Sequence, residues 1–178
     1  MMANIKLYIA TSLDGYIARK NNSLDWLNAI EVPEGEDYGY ADFYSGVDTV
    51  VMGSKTYKEV LGFGVDWPYT DCNSYVVSRQ NDLKMETPNT HLINEISKES
   101  IANLRSGSEK GIWLVGGGHL IKEFLAMESV DEFIITIIPI LLGEGIPLFP
   151  EGFKDTTLKL LKVESFSTGV VNLHYKNT

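Results

Sequence analysis

Apolar residues come in short runs separated by glycine, proline and polar clusters, and the runs alternate between two periods. Ile5, Leu7 and Ile9 alternate with Lys6 and Tyr8, which predicts a first strand running to Ala10. Residues 11–18 carry the turn signal Asp14-Gly15 and are expected to leave that strand as a loop. Ser23 is placed to cap a short helix carrying Leu24, Trp26 and Leu27. Residues 31–39 are acidic and hold Pro33 and glycines, so they read as a loop, followed by a short helix over 37–44 that closes at Gly46. Residues 48–53 form a β-branched, buried strand, and 54–61 a helix through Tyr57, Val60 and Leu61. The stretch 62–72 is irregular. Strands follow over 74–77 and 90–93, with a helix from the Ser97 cap to Arg105.

The next stretch has the clearest change of period. Ile112–Val115 is a short apolar run, Gly116, Gly117 and Gly118 interrupt it, and Leu120, Ile121, Phe124 and Leu125 then follow at helical spacing as far as Met127. Residues 130–138 predict a strong strand, 143–150 an irregular excursion, and 157–166 with 170–175 a hairpin turning at Thr168-Gly169. Strands alternating with helices, then a hairpin, imply an α/β fold. Its mostly parallel central sheet is flanked by helices and carries a C-terminal antiparallel hairpin. No repeat or linker divides residues 1–178, a length suited to a single domain.

Composition narrows the function classes. A formal net charge of -9 without a basic cluster argues against a nucleic-acid partner. The longest apolar run, 133–142, is broken by Thr136 and Pro139 and is too short to span a bilayer, so no membrane role is expected. The chain enters its first strand without a charged-then-apolar leader, and its single cysteine, Cys72, reads as an ordinary loop thiol in a cytoplasmic protein. His91, His119 and His174 lie far apart with no ligand spacing, so no metal is expected.

Ligands of such sheets bind at the carboxyl ends of strands. Four strand ends here are polar or glycine-rich: residues 10–15, Gly53-Ser54-Lys55-Thr56, Ser78-Arg79 and Gly116-Gly117-Gly118. Two of them open helices, whose first N–H groups and positive dipole end suit phosphate. Lys55, Thr56, Ser78 and Arg79 add donors, and a dinucleotide with an extra ribose phosphate would use all four ends. There is no G-x-S-x-G elbow, and Cys72 has no neighbouring histidine. A hydride carrier fits a chain that shows few catalytic groups of its own.

Ser12-Leu13-Asp14-Gly15-Tyr16-Ile17-Ala18, Val51-Met52-Gly53-Ser54-Lys55-Thr56-Tyr57, Trp113-Leu114-Val115-Gly116-Gly117-Gly118 and residues 131–150 make the chain resemble the dihydrofolate reductase fold superfamily. Within it, the chain is most similar to stand-alone proteins like the reductase domain of bacterial riboflavin biosynthesis. The resemblance implies an NADPH-dependent reductase of a pyrimidine-, pterin- or flavin-precursor-like small molecule, most like 5-amino-6-(5-phosphoribosylamino)uracil reductase. Ala10, Ile17 and Ala18 would cover the nicotinamide, and Gly53, Ser54, Lys55 and Thr56 the phosphates. Ser78 and Arg79 would lie near the adenosine ribose phosphate. Val115, Gly116, Gly117, Gly118, His119 and Leu120 would close under nicotinamide and pyrophosphate, with a cis Gly-Gly bond.

On the substrate side the resemblance implies Asp14, Trp26, Asp37 and Thr136. Asp37 matches the helix carboxylate of folate reductases, with Asp42 competing for that place, and Thr136 matches the threonine that partners it. Asp14 and Asp37 are the candidate proton donors. Asp14 equally fits a turn-former, Asp37 a helix N-cap and Trp26 core packing. An arginine is common in the family where Ser54 stands, which leaves Arg79 as the candidate for discriminating NADPH from NADH. Homodimers are common in the family, and the run 133–142 could feed such an interface. True dihydrofolate reductase, or a nucleotide-binding protein without turnover on the same fold, are the alternatives.

Overall fold

The structure is a computed structural model and describes residues 2–178. Ten strands and five helices follow one another as β1 (Asn4–Ser12), β2 (Tyr16–Ala18), α1 (Asp25–Asn28), α2 (Tyr40–Ser45), β3 (Thr49–Gly53), α3 (Ser54–Leu61), β4 (Asn73–Val77), β5 (Thr90–Ile93), α4 (Lys98–Gly107), β6 (Gly111–Gly116), α5 (Gly118–Ala126), β7 (Glu132–Ile138), β8 (Ile146–Pro147), β9 (Leu158–Ser165) and β10 (Val171–Asn177). Eight strands form one sheet in the order β5-β4-β3-β6-β1-β7-β10-β9. The first six are mutually parallel. The hairpin β10–β9 adds antiparallel strands beside β7, as the hydrophobic pattern implied.

The parallel strands are apolar on both faces because helices cover both faces. Ile5, Leu7, Val51, Ile112, Leu114, Phe133 and Ile135 pack on one side with Ile101 and Leu104 of α4 and Leu120, Ile121 and Phe124 of α5. Val50, Met52, Val76 and Trp113 pack on the other with Phe43 of α2 and Tyr57 and Val60 of α3. The helices leaving the adjacent strands β3 and β6 therefore go to opposite faces. That divergence opens a crevice at the carboxyl edge of these strands.

Several local expectations change. Residues 11–18 are largely extended: β1 continues to Ser12, and β2 pairs antiparallel with β8, which lies inside the supposed irregular stretch 143–150. Leu24, not Ser23, occupies the N-cap of α1; one residue further out, the Ser23 hydroxyl donates to Asp25 Oδ1 at 3.0 Å and accepts from Asp25 N at 3.3 Å. Ser97 does cap α4, in a capping box with Ser100. Cys72 is buried, its Sγ 3.5 Å from the Tyr44 hydroxyl, and burial pushes its thiol pKa up. Trp67 and Tyr69 are buried beside it, so the irregular stretch 62–72 is partly core. The apolar part of β7 lies between β1 and β10, so that strand offers no free edge for a dimer. The exposed apolar side chains Leu160, Leu161 and Val163 sit instead on the edge strand β9.

Candidate active site

Parallel pairing brings the four polar strand ends into one line. Gly53 of β3 pairs with Val77 of β4, which sets Ser78-Arg79 beside Gly53-Ser54-Lys55-Thr56. Met52 pairs with Gly116 across a bulge at Val115, which sets the glycine turn on the other side of Gly53. The β1 end, with Thr11 and Ser12, follows β6 in the sheet.

The crevice is made of backbone at close range. A methyl group built on Gly117 would sit 3.5 Å from Thr56 Oγ1, and one on Gly53 would sit 3.9 Å from the Gly116 carbonyl oxygen. Gly116 has φ +120°, which L side chains rarely adopt, and its peptide bond to Gly117 is cis. Gly53 and Gly117 stand at the N-caps of α3 and α5 without a side-chain cap, so the first N–H groups of both helices face the crevice. Two unblocked helix N-termini and a threonine hydroxyl suit an anion carrying more than one phosphate. Ser78 is buried and its Oγ accepts from Gln80 N at 3.1 Å, whereas Arg79 and Lys55 are exposed. Leu120 belongs to the core, so its backbone alone can face a ligand. The His119 side chain is exposed, with Nε2 3.3 Å from Glu123 Oε1.

A two-stranded flap closes the β1 side. β2 and β8 pair through Tyr16 with Pro147 and Ala18 with Ile146, and Leu148 N donates to Gly15 O at 2.8 Å. Gly145 lets the strands approach, since a methyl group there would collide with the Ala18 carbonyl oxygen. The flap lies over α5, with a methyl on Gly118 falling 3.2 Å from Pro147 O. Ile17 packs into the main core and Ala18 is buried, which fixes the flap from below.

Asp14 locks this flap. Its carboxylate accepts from Gly143 N at 2.7 Å and from Leu142 N at 3.1 Å, and the Ser12 hydroxyl donates to it at 2.6 Å. The Ser12 bond, with those from Gly143 and Leu142, holds its pKa below the ordinary aspartate value. Asp37 is likewise engaged, accepting from Ala41 N at 2.9 Å and Gly39 N at 2.8 Å, and these bonds lower its pKa. Both groups are ionised acceptors, a poor state for the proton donation proposed from sequence. The expected Asp37–Thr136 pair is not formed, because both Asp37 oxygens turn to the backbone of α2. Asp42 lies exposed in the first turn of α2.

The sheet face beneath α1 and α2 holds the remaining candidates. Trp26 is buried with Ile138 and Val170, and Ala10 packs against that cluster. Tyr8 lies one pair along, stacked on Phe43 at 4.2 Å, and its backbone oxygen accepts from Trp113 Nε1 at 2.9 Å. Burial raises the Tyr8 pKa to about 12. The nearby Thr136 hydroxyl works against that rise, and Asp37 and Tyr40 add to it. Thr136 and Asn172, 6% and 7% exposed, are polar groups in this face. Tyr8 and Asn172 did not stand out in the sequence. The available signal was phase: Tyr8 faces opposite to Ile5 and Leu7 in a doubly covered strand, and Asn172 interrupts the apolar positions Val170, Val171 and Leu173.

Among the described residues no helix is long and apolar enough to cross a membrane. Residues 3–172 match the RibD C-terminal domain family. The chain is 43% identical over 169 residues to the uncharacterised protein YwjB of Bacillus subtilis (strain 168), covering 95% of each. A crystal structure from Shewanella sp. PV-4, provisionally named a riboflavin biosynthesis protein, superposes with a TM-score of 0.86 at 36% identity over 99% of both chains. Dihydrofolate reductase from Enterococcus faecalis, in complex with NADP(H) and RAB-propyl, shares the fold, with a TM-score of 0.70 at 16% identity over 100% of this chain and 99% of that one.

Proposed function

Starting from a chain that belongs to the RibD C-terminal domain family, we propose an NADPH-dependent reductase of a pyrimidine-, pterin- or flavin-precursor-like small molecule, most like 5-amino-6-(5-phosphoribosylamino)uracil reductase. The observation that carries this reading is the line of strand ends β4-β3-β6-β1, where two uncapped helix N-termini meet across a crevice only backbone-wide. In this reading the amides of Ser54 and Lys55, the Thr56 hydroxyl and the amides of Gly118, His119 and Leu120 bind the pyrophosphate. Ser78 and Arg79 hold the ribose phosphate. Ala10, Ile17, Ala18, Val115, Gly116 and Gly117 form the walls against which the nicotinamide is oriented. Bound NADPH supplies the hydride. Asp14 and Asp37 are committed to backbone donors, so the proton comes from water rather than from either carboxylate. Leu160, Leu161 and Val163 on the edge strand support a homodimer through β9.

The test is a titration of NADPH and NADH, followed by nicotinamide oxidation with a panel of ribosylaminopyrimidine and dihydropterin acceptors. Submillimolar NADPH binding and steady oxidation with one acceptor are expected. Absence of binding removes the reductase reading, and binding without oxidation across the panel turns it into that of a nucleotide sensor. Dihydrofolate reductase proper is disfavoured by the Asp37 geometry, in which each carboxylate oxygen accepts from the backbone at the start of α2 and neither bonds Thr136. Weak binding of a diaminopyrimidine antifolate is therefore expected, and tight binding would reinstate that reading.

A further inference from the structure

The two outer strands of the sheet differ in length. β5 ends one side with four residues, and β9 ends the other with eight. A long edge strand presents a row of unpaired N–H and C=O groups, and proteins blunt such edges with short strands, bulges and lysines. β9 has a bulge and lysines, yet it also leaves Leu160, Leu161 and Val163 exposed by 49%, 46% and 52%. Edge protection alone does not account for half-exposed leucine and valine on the longer of the two edges.

The bulge decides which side chains of β9 share a face. Along β10, Asn172 pairs with Glu164, His174 with Lys162 and Lys176 with Lys159, while Leu173 pairs with Val163 and Tyr175 with Leu160. Asn172, His174 and Lys176 alternate along one strand and so face one way. Directly paired residues point to the same side, so Glu164, Lys162 and Lys159 lie on the Thr136 face, and Val163 and Leu160 on the opposite one. Lys159 and Glu164 are an odd number of residues apart, and the register step between Lys162 and Leu160 is what brings them to one side.

This strand is complementary to its own reversed copy. Laid antiparallel over its full length against a second β9, it sets Ser165 opposite the partner's Leu158, Glu164 opposite the partner's Lys159 and Val163 opposite the partner's Leu160. The result is an ion pair on one face and an apolar pair on the other, each repeated by the two-fold axis. A slip of one residue either way sets Glu164 against the partner's Leu158 or the partner's Leu160. The wider face agrees. The acidic segment with Glu31, Glu34 and Glu36 leads into Tyr38, whose hydroxyl donates to Thr168 Oγ1 at 3.1 Å and whose carbonyl oxygen accepts from Asn172 Nδ2 at 2.6 Å, so it lies at the turn end of the hairpin. Exposed Lys159, Lys162 and Lys176 occupy the other end of the same face. A two-fold axis through β9 turns the lysine end of one copy toward the acidic end of the other.

We propose that a second copy of this chain docks edge to edge on β9 in this register, so that one sheet runs through both subunits and Glu164 binds the partner's Lys159. This gives the homodimer named with the reductase reading a definite interface, and no step of it involves cofactor or substrate. Glu164 also touches Lys162 of its own strand at 2.7 Å, a solvent-facing pair of little weight.

The experiment is sedimentation equilibrium of the full chain without ligand. The wild type is expected at twice the mass of one chain, with a dissociation constant of about ten micromolar or below. Lys159→Glu and Glu164→Lys each set like charges opposite one another twice per dimer, and each should raise that constant by about tenfold or more. The double swap restores opposite charges and should return it to within about threefold of wild type. The Lys162 contact is lost in Glu164→Lys and in the double swap alike, so it cannot produce the rescue. Both sites lie on an edge strand, and circular dichroism checks that each variant is folded. A monomeric wild type, single variants with an unchanged dissociation constant, or a double swap no tighter than the singles overturns the proposal. A monomer that oxidises NADPH strikes this interface alone, and a dimer that binds no NADPH strikes the reductase reading alone.

Discussion

The carboxyl edge of β4, β3, β6 and β1 and the sheet face over Tyr8, Thr136 and Asn172 are built on opposite rules. The edge offers backbone: helix N–H groups, an open glycine turn and space that a single methyl would fill. The face offers side chains: one fixed amide, and a threonine hydroxyl beside a phenol whose pKa burial raises. A backbone site tolerates changes in side-chain chemistry and fails when the chain cannot keep its path. A side-chain site fails when one atom changes, with its backbone intact. The first suits a cofactor common to many enzymes, the second a substrate that must be distinguished from others.

The most damaging change to the edge should therefore be one that adds a methyl and nothing else. Gly116→Ala meets only ordinary contacts at 3.6 and 3.7 Å from Ile121 and Ile9, yet it must adopt φ +120°. Such backbone strain costs of order 1–3 kcal/mol, and relieving it moves the turn beneath the cofactor. NADPH affinity should fall by about 100-fold, that is about 2.7 kcal/mol, while binding of the acceptor identified in the turnover panel changes little. Titration of both ligands checks it. A parallel loss of both would mean that the two regions are one unit.

Arg79→Ala sharpens the same contrast at smaller size. Arg79 is an exposed side chain at the outer end of the edge, the one place where the backbone rule gives way to charge. Its removal should weaken NADPH by about tenfold, about 1.4 kcal/mol, and leave NADH nearly unchanged, an effect that shrinks as salt is raised. Equal losses for the two cofactors would assign the ribose phosphate elsewhere.

The same difference explains what could be read in the sequence. Each strand end of the edge is a contiguous motif, such as Gly53-Ser54-Lys55-Thr56 or Gly116-Gly117-Gly118, so local turn chemistry revealed it before any contact was known. The hairpin at 157–175 was legible for the same reason. The face is assembled by pairing Ala10 with Thr136 and Thr136 with Asn172, partners far apart in the chain, and no local pattern encodes that row. The flap failed to show because β2 and β8 are three and two residues long and pair across the length of the protein. Asp14 and Asp37 were legible as carboxylates near turns. Their orientation was not, because it is set by backbone amides at Gly143 and Ala41.

Those two aspartates give the smallest predicted effect, and it tests whether either region contains an acid of its own. Both have folded pKa values lowered by hydrogen bonds to the ionised form. A lowered value means that the loops are held at full strength above the unfolded aspartate pKa of about 4, and that this hold is lost as pH falls through the lower folded values. Between pH 5 and pH 8 neither group changes charge, so neither can shape a pH–rate profile in that range. Asp37→Asn keeps one of the two oxygens that accept from Gly39 and Ala41, ahead of the Gly39 N-cap of α2. Its turnover should stay within about twofold of wild type with an unshifted profile, whereas a general acid would lose about 100-fold or more. Measured as initial rates across that pH range, a large loss or a displaced acid limb would make Asp37 the proton donor. The sheet face would then hold a catalytic carboxylate beside Thr136 and Asn172, and the division between a backbone edge and a side-chain face would have to be redrawn.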